Sequence, residues 1–329
     1  MERAAANPPE MNQPDRRIAL LRRMALLCAA LVLAITSLSA FLRLSKAGLG
    51  CEPWPQCYGQ SLRELQQGSS PAKTDEATAA AAARLVHRIV ATVALIVILM
   101  MVMTTLMTRP VLWREGRLAL ALLGLALFLA VLGLWTANAR VPAVTLGNLL
   151  AGFAMFALSW RLSQADALQA PAAAAASRRL TRWAWLGVAV LAAHIALGGL
   201  VSAGYAGPSC PQLMNCDTTA ASWQALNPWH EPLLDAAAPT NPAGALVHVM
   251  HRAGALIVAA VLLPVGVAAW RSGRRAGGAV VLLLVLQVTL GFVLVVTGLP
   301  LAAALAHNTV ATLLLAAVLS VAVGHRRSW

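Results

Sequence analysis

The residues with the most chemistry to offer lie in two apolar stretches, GALVHVMHRAGAL (Gly244 to Leu256) and LAAALAHNTVATLLLAAV (Leu301 to Val318). The first carries His248, His251 and Arg252, and the second carries His307. Ionisable side chains inside a membrane are costly, face the bundle interior and mark a site. A neutral imidazole is a common metal ligand and an axial ligand of haem iron. The leading expectation is that His251 and His307 point at one haem iron held between two helices. A lone intramembrane histidine serves equally well as an interhelical hydrogen-bonding group, so depth decides. His251 lies about eight residues in from the outer end of its run and His307 about seven, which at ~1.5 Å per residue puts both roughly 10–12 Å below the outer face. Arg252 suits a haem propionate, because a guanidinium pairs bidentately with carboxylates. His248, one turn nearer the surface, is either a propionate partner, a donor behind the ligand or an interfacial polar residue.

The cysteines form a second pattern. Cys51 and Cys57 are six positions apart, and so are Cys210 and Cys216. Both pairs follow an apolar run on its outer side, in an oxidising compartment where disulfides persist, and the short loops can close with suitable backbone geometry. Free thiols or a metal site are the alternatives, the latter disfavoured because no histidine lies at close spacing. Such disulfides act either as staples or as redox-active pairs. Cys28, alone within an apolar run, reads as a small buried residue.

The elements that hold these residues follow from composition. The 329 residues are 59% hydrophobic and 11% charged, against roughly 25% charged in soluble domains. Runs of about 20 apolar residues fall near 20–42, 85–107, 117–136, 142–162, 182–203, 244–270, 278–297 and 301–323. The fold class expected is an all-α integral membrane protein with eight transmembrane helices. Pro142 and Pro300 mark two tight hairpins. The first run is too long for a signal peptide and lacks a small-residue cleavage site before Arg43, so it stays as a span. Basic residues gather at the N-terminus, after the second, fourth and sixth spans, and at Arg326 and Arg327, whereas 204–243 has no Lys or Arg. That places both termini in the cytoplasm of a bacterial-type inner membrane. The net charge of +13 is thus an orientation signal. No basic stripe interleaved with aromatics is present, which excludes a nucleic-acid partner.

An internal repeat organises the chain. Aligning Cys51 on Cys210 also aligns Ala47-Gly48 with Ala206-Gly207. His87-Arg88 then answers His251-Arg252, and Asn148 answers His307. Two parallel-repeat four-helix bundles follow, at 16–165 and 178–325, after a cytoplasmic tail at 1–15 and joined by an Ala/Pro linker at 166–177. The outer segment 61–83 has room for a short amphipathic helix. The segment 217–243 holds Trp223, Trp229 and His230 among prolines and reads as a lid or an interface-lying stretch. His194 either packs between helices or lines a pocket. Arg43 and Lys46 meet propionates or lipid headgroups, and His230 and His325 receive no role.

With FLRLSKAGLGCEPWPQC (Phe41 to Cys57), His87-Arg88, LGGLVSAGYAG (Leu197 to Gly207), HVMHR (His248 to Arg252) and AHNTVATLLLA (Ala306 to Ala316), the chain resembles the haem A synthase family. These membrane oxidoreductases convert haem O to haem A for cytochrome oxidase assembly. The resemblance covers nearly all of residues 20–323. It implies a haem b cofactor on His251 and His307 and a first-half substrate site, with His87 as its histidine. There the C8 methyl of haem O is oxidised to a formyl group. It also implies that the Cys51–Cys57 disulfide is linked to activity. The partners implied are haem O, membrane lipid, haem O synthase and terminal-oxidase assembly factors, with room for a homo-oligomer. Two positions depart from the pattern: Arg84 replaces a glutamate three residues before His87, and Asn148 replaces a histidine. Both fall on the substrate side. The alternative expectation is therefore a non-catalytic haem b-binding homologue, acting as a membrane cytochrome or assembly factor. A transporter-like or redox-relay protein on the same repeat is a third.

Overall fold

Apolar runs longer than a bilayer is thick satisfy their backbone polar groups internally as helices, and here they do so eight times among the described residues. The computed structural model describes residues 13–49, 51–68, 77–136, 140–165, 175–213, 216, 218–234 and 241–323. Most of the expected tail and linker, His325, Arg326 and Arg327 lie outside them. The spans are α1 (Gln13–Ala47), α3 (Ala77–Val102), α4 (Trp113–Thr136), α5 (Pro142–Leu162), α6 (Ala175–Ala203), α7 (Ala245–Arg271), α8 (Arg275–Val296) and α9 (Leu301–Val323). A short helix, α2 (Gln60–Gln66), begins one residue before the segment 61–83 expected to hold one. α1 begins three residues inside the expected tail, and α6 begins within the expected linker. Pro142 opens α5, where its missing N–H costs nothing. The α8–α9 turn uses Gly298 at φ 74° before Pro300.

Two rings of four helices result. α1 packs on α3 and α5, and α4 closes that ring by packing on the same two helices. α6 packs on α7 and α9, and α8 closes the second ring likewise. The rings meet where α1 lies on α9 and α5 lies on both α6 and α9. α9 is the most enclosed span, with 61% of its central window buried against 11–33% elsewhere. That fits a helix touching both rings. Leu262, Val280, Leu314 and Val318 build the second-half core, and Leu21, Val32, Ile98, Met101 and Leu122 the first.

The outer connections interlock above the rings. Cys51–Cys57 and Cys210–Cys216 are both disulfide-bonded, so the free-thiol and metal readings of these pairs fall away. Tyr58, buried beside the first disulfide, packs edge-on against Trp54 and Tyr205. Burial, then the neighbouring Tyr205, pushes the Tyr58 phenol well above its ordinary range, so it stays protonated at any physiological pH. Arg63 caps the loop by donating to Tyr58 O at 2.8 Å and Gln56 O at 2.6 Å. The second-half outer segment reaches across to the first half. Ala143 N donates to Pro228 O at 2.7 Å, and Gln66 Nε2 to Pro232 O at 3.0 Å.

Two outcomes follow from this packing. Under denaturing conditions without reductant, alkylation should label one of the five cysteines, Cys28, and all five after reduction; mass spectrometry reads the difference. The α7–α8 crossing rests on Gly277, where a Cβ would lie 2.5 Å from Gly266 O and 2.8 Å from Ala269 C. Gly→Ala inside a helix normally gains roughly 0.5–1 kcal/mol, but collision with backbone cannot be relieved by a rotamer change. Gly277→Ala should therefore destabilise by about 1–3 kcal/mol, seen as earlier thermal unfolding in detergent by circular dichroism.

Candidate functional site

A histidine cluster forms where α6, α7 and α9 converge. His251 on α7 stacks on His194 of α6, with ring centres 4.2 Å apart and planes 7° from parallel. On another side it faces His307 of α9, with centres 6.4 Å apart and planes at 77°. Glycines make room for both approaches. A Cβ at Gly198 would lie 2.9 Å from His251 Cε1, and one at Gly254 would lie 2.9 Å from His194 Nδ1. Each of the two helices thus seats its histidine over the other's glycine. Gln287 of α8 donates its amide to His307 Nε2 at 3.0 Å. That ring nitrogen accepts through its lone pair, so the proton of the neutral ring sits on Nδ1, and Nε2 must exchange the amide for a metal before His307 can ligate one. The Nδ1 atoms of His194, His251 and His307 are buried without a hydrogen-bond partner.

This donor set suits a metal-centred group between His251 and His307. Two imidazoles bound on opposite sides of one metal at ~2.0–2.1 Å, adding ~1.1 Å from each nitrogen to its ring centre, have centres about 6.3 Å apart; the rings here are 6.4 Å apart. No group of three or more His, Cys, Asp or Glu is clustered for a bare ion among the described residues. A porphyrin iron needs only two protein ligands, since the macrocycle supplies the rest.

The neighbours of His251 are placed differently from expectation. Arg252 does not extend a free guanidinium towards the cluster. It donates to Gln212 O at 2.6 Å, Leu213 O at 3.2 Å and Cys210 O at 2.6 Å, and so ties α7 to the second disulfide loop. A loop of backbone carbonyls is strongly attractive to a partly buried cation. His248 is buried, and its Nδ1 lies 3.1 Å from Ala206 O. A carbonyl can only accept, so Nδ1 bears the proton and joins α7 to the end of α6.

The first half holds a cavity of about 1030 Å³ instead of a closed cluster. His87 of α3 and Asn148 of α5 line it, as the repeat alignment pairs them. His87 Nε2 lies 3.0 Å from Ser39 Oγ. Arg43, Lys46, Arg84 and Arg140 also border the cavity, and among the described residues no Asp or Glu lines it. Arg43 Nε donates to Ser202 Oγ of α6 at 3.0 Å, linking the halves at the cavity wall. Asn308 of α9 lines the cavity as well. It is the residue after His307, so α9 presents one residue to the cluster and the next to the cavity. The Cys51–Cys57 loop follows directly on Ala47 and Leu49 of the cavity wall.

His194, Gln287 and Asn308 were not singled out as site residues by the sequence reading. A signal for His194 is present in hindsight: Gly198 follows it by four residues, and Gly254 follows His251 by three. Such spacing lets two helices exchange a ring for a glycine. Trp223, Trp229 and His230 are exposed on the segment before α7.

Comparison with known proteins agrees with this arrangement in extent. The profile of the cytochrome oxidase assembly protein family, COX15-CtaA, matches residues 22–319. The haem A synthase of Shewanella oneidensis is 30% identical over 305 residues, covering 88% of this chain and 92% of that protein. The matched span contains every helix of both rings, the histidine cluster and the cavity, and the chain belongs to the COX15-CtaA family of cytochrome oxidase assembly proteins, the haem A synthase family.

Proposed function

We propose that this protein is a membrane haem A synthase. It takes haem O into the first-half cavity and oxidises the C8 methyl to a formyl group, with haem b held between His251 and His307. The observation that carries this reading is the cavity of about 1030 Å³ facing His87, one residue along α9 from the histidine cluster. Ligand pockets typically measure roughly 300–1,000 Å³, so this one suits a ligand as large as a tetrapyrrole with an isoprenoid tail. Its bordering Arg43, Lys46, Arg84 and Arg140 match the two propionates of such a ligand.

Each residue has a part to play in this reading. His87, with Ser39 at 3.0 Å fixing its ring, presents the imidazole that holds the substrate and so sets which porphyrin edge lies deepest. Apolar walls keep bulk water from the methyl carbon. The Cys51–Cys57 loop holds the shape of the outer wall. Haem b, when bound, supplies the electron transfer that a redox change at carbon requires. His251 and His307 would hold it, with His307 Nε2 exchanging the hydrogen bond it accepts from Gln287 for the metal.

The same proposal includes a membrane arrangement. The matching packing of α1, α3, α4 and α5 with α6, α7, α8 and α9 supports two parallel repeats about an axis along the membrane normal. The arginine distribution supports cytoplasmic termini in a bacterial inner membrane.

One observation favours a second reading. Among the described residues the cavity lining has no carboxylate, Arg84 stands one turn from His87, and Asn148 lies where a second imidazole is expected. A haem b-binding homologue without catalysis would tolerate all three. Expression with a haem O source, then chromatography and mass detection of extracted haems, separates the two. Haem A or its hydroxylated intermediate is expected. Haem b with unchanged haem O establishes the second reading and overturns the first. His87→Ala should lower haem A by roughly 100-fold, the cost of misplacing a reacting group, while leaving haem b in place. His251→Ala or His307→Ala should abolish the low-spin absorption bands of the purified protein. Bands unaltered in both variants would overturn the ligand assignment.

A further inference from the structure

We propose that His194 is a positioning residue that fixes the plane of the His251 ring, and through it the near-perpendicular setting of the His251 and His307 rings; the inference rests on the haem b reading above.

An imidazole bonded to a metal through one nitrogen keeps a soft rotation about that bond. Metal-ligating histidines are usually held against it by a hydrogen bond from the other ring nitrogen. The Nδ1 of His251 is buried and makes no hydrogen bond of good geometry. A flat contact takes its place. The His194 ring lies face to face with it at 4.2 Å and 7°. One turn further along α6, Gly198 closes on the His251 edge so tightly that a Cβ would come within 2.9 Å of Cε1. His194 is itself seated, because Gly254 of α7 lies beneath it with 2.9 Å from a would-be Cβ to Nδ1. α6 therefore touches His251 at two points that resist rotation, a face and an edge. The opposite ring lies outside this contact, and meets Gln287 of α8, whose amide donates to His307 Nε2 at 3.0 Å.

Simple space-filling predicts that any apolar side chain of similar volume could replace His194. Plane-fixing predicts that only a flat ring could. Electron paramagnetic resonance of the ferric protein distinguishes them, because the low-field g value of a bis-imidazole haem depends on the angle between the ligand planes. Near-perpendicular planes give a more extreme value than parallel ones. Haem-loaded wild type, His194→Phe, His194→Leu and His194→Ala are compared, each as a monodisperse detergent fraction with haem per protein measured. Wild type and His194→Phe are expected to share one sharp low-field feature. His194→Leu and His194→Ala are expected to retain haem but to show that feature broadened and moved towards the parallel-plane position. An unchanged feature in His194→Ala and His194→Leu overturns the inference and leaves the haem reading intact. Phe behaving like Ala also overturns it, as does loss of the low-spin signal in His194→Ala with haem retained, which would make His194 a ligand. A wild-type sample with no low-spin haem overturns the haem reading and this inference together.

Discussion

A ring nitrogen inside a bundle of apolar helices has no water to fall back on, and that shortage governs the centre of this protein. Leaving a polar atom unpaired in such surroundings costs free energy. Yet three buried imidazoles converge there, each with an Nδ1 lacking a partner. Gly198 and Gly254 admit the rings of His251 and His194, where a Cβ would come within 2.9 Å. The surrounding helices follow from this: α6 and α7 must run close enough to exchange ring for glycine, and α9 must cross at the same depth.

The two halves answer this constraint in opposite ways. In the second, the rings meet one another where α6, α7 and α9 converge. In the first, α1, α3, α4 and α5 surround an open volume, and His87 turns to a serine hydroxyl. Cluster and cavity lie side by side. α9 separates them by a single residue step, from His307 to Asn308.

How much of this could be read from letters alone depends on range. The spans were legible because twenty apolar residues in a row leave the backbone one option in lipid, and His251 and His307 were legible because charge-bearing rings within such runs are rare. The cysteine pairs were legible from matched spacing. His194 was not, because a histidine followed by small residues also describes ordinary helix packing, and its meaning depends on which glycine of another helix lies opposite. The contacts of Arg252 were hidden for a related reason. Its partners are main-chain oxygens of Cys210, Gln212 and Leu213, and no side-chain pattern announces a carbonyl's direction. The cavity is a property of helix separation and has no local signature at all.

The stitching of the outer connections has a mechanical consequence. Residues after the second disulfide are tied to the opposite half through Pro228 and Pro232, and Leu234 presses on Gly59. A carrier works by tilting one repeat against its mate, opening first to one compartment and then to the other. Here that tilt would tear a seam on every cycle. The fold is braced against such rocking of one ring of helices on the other.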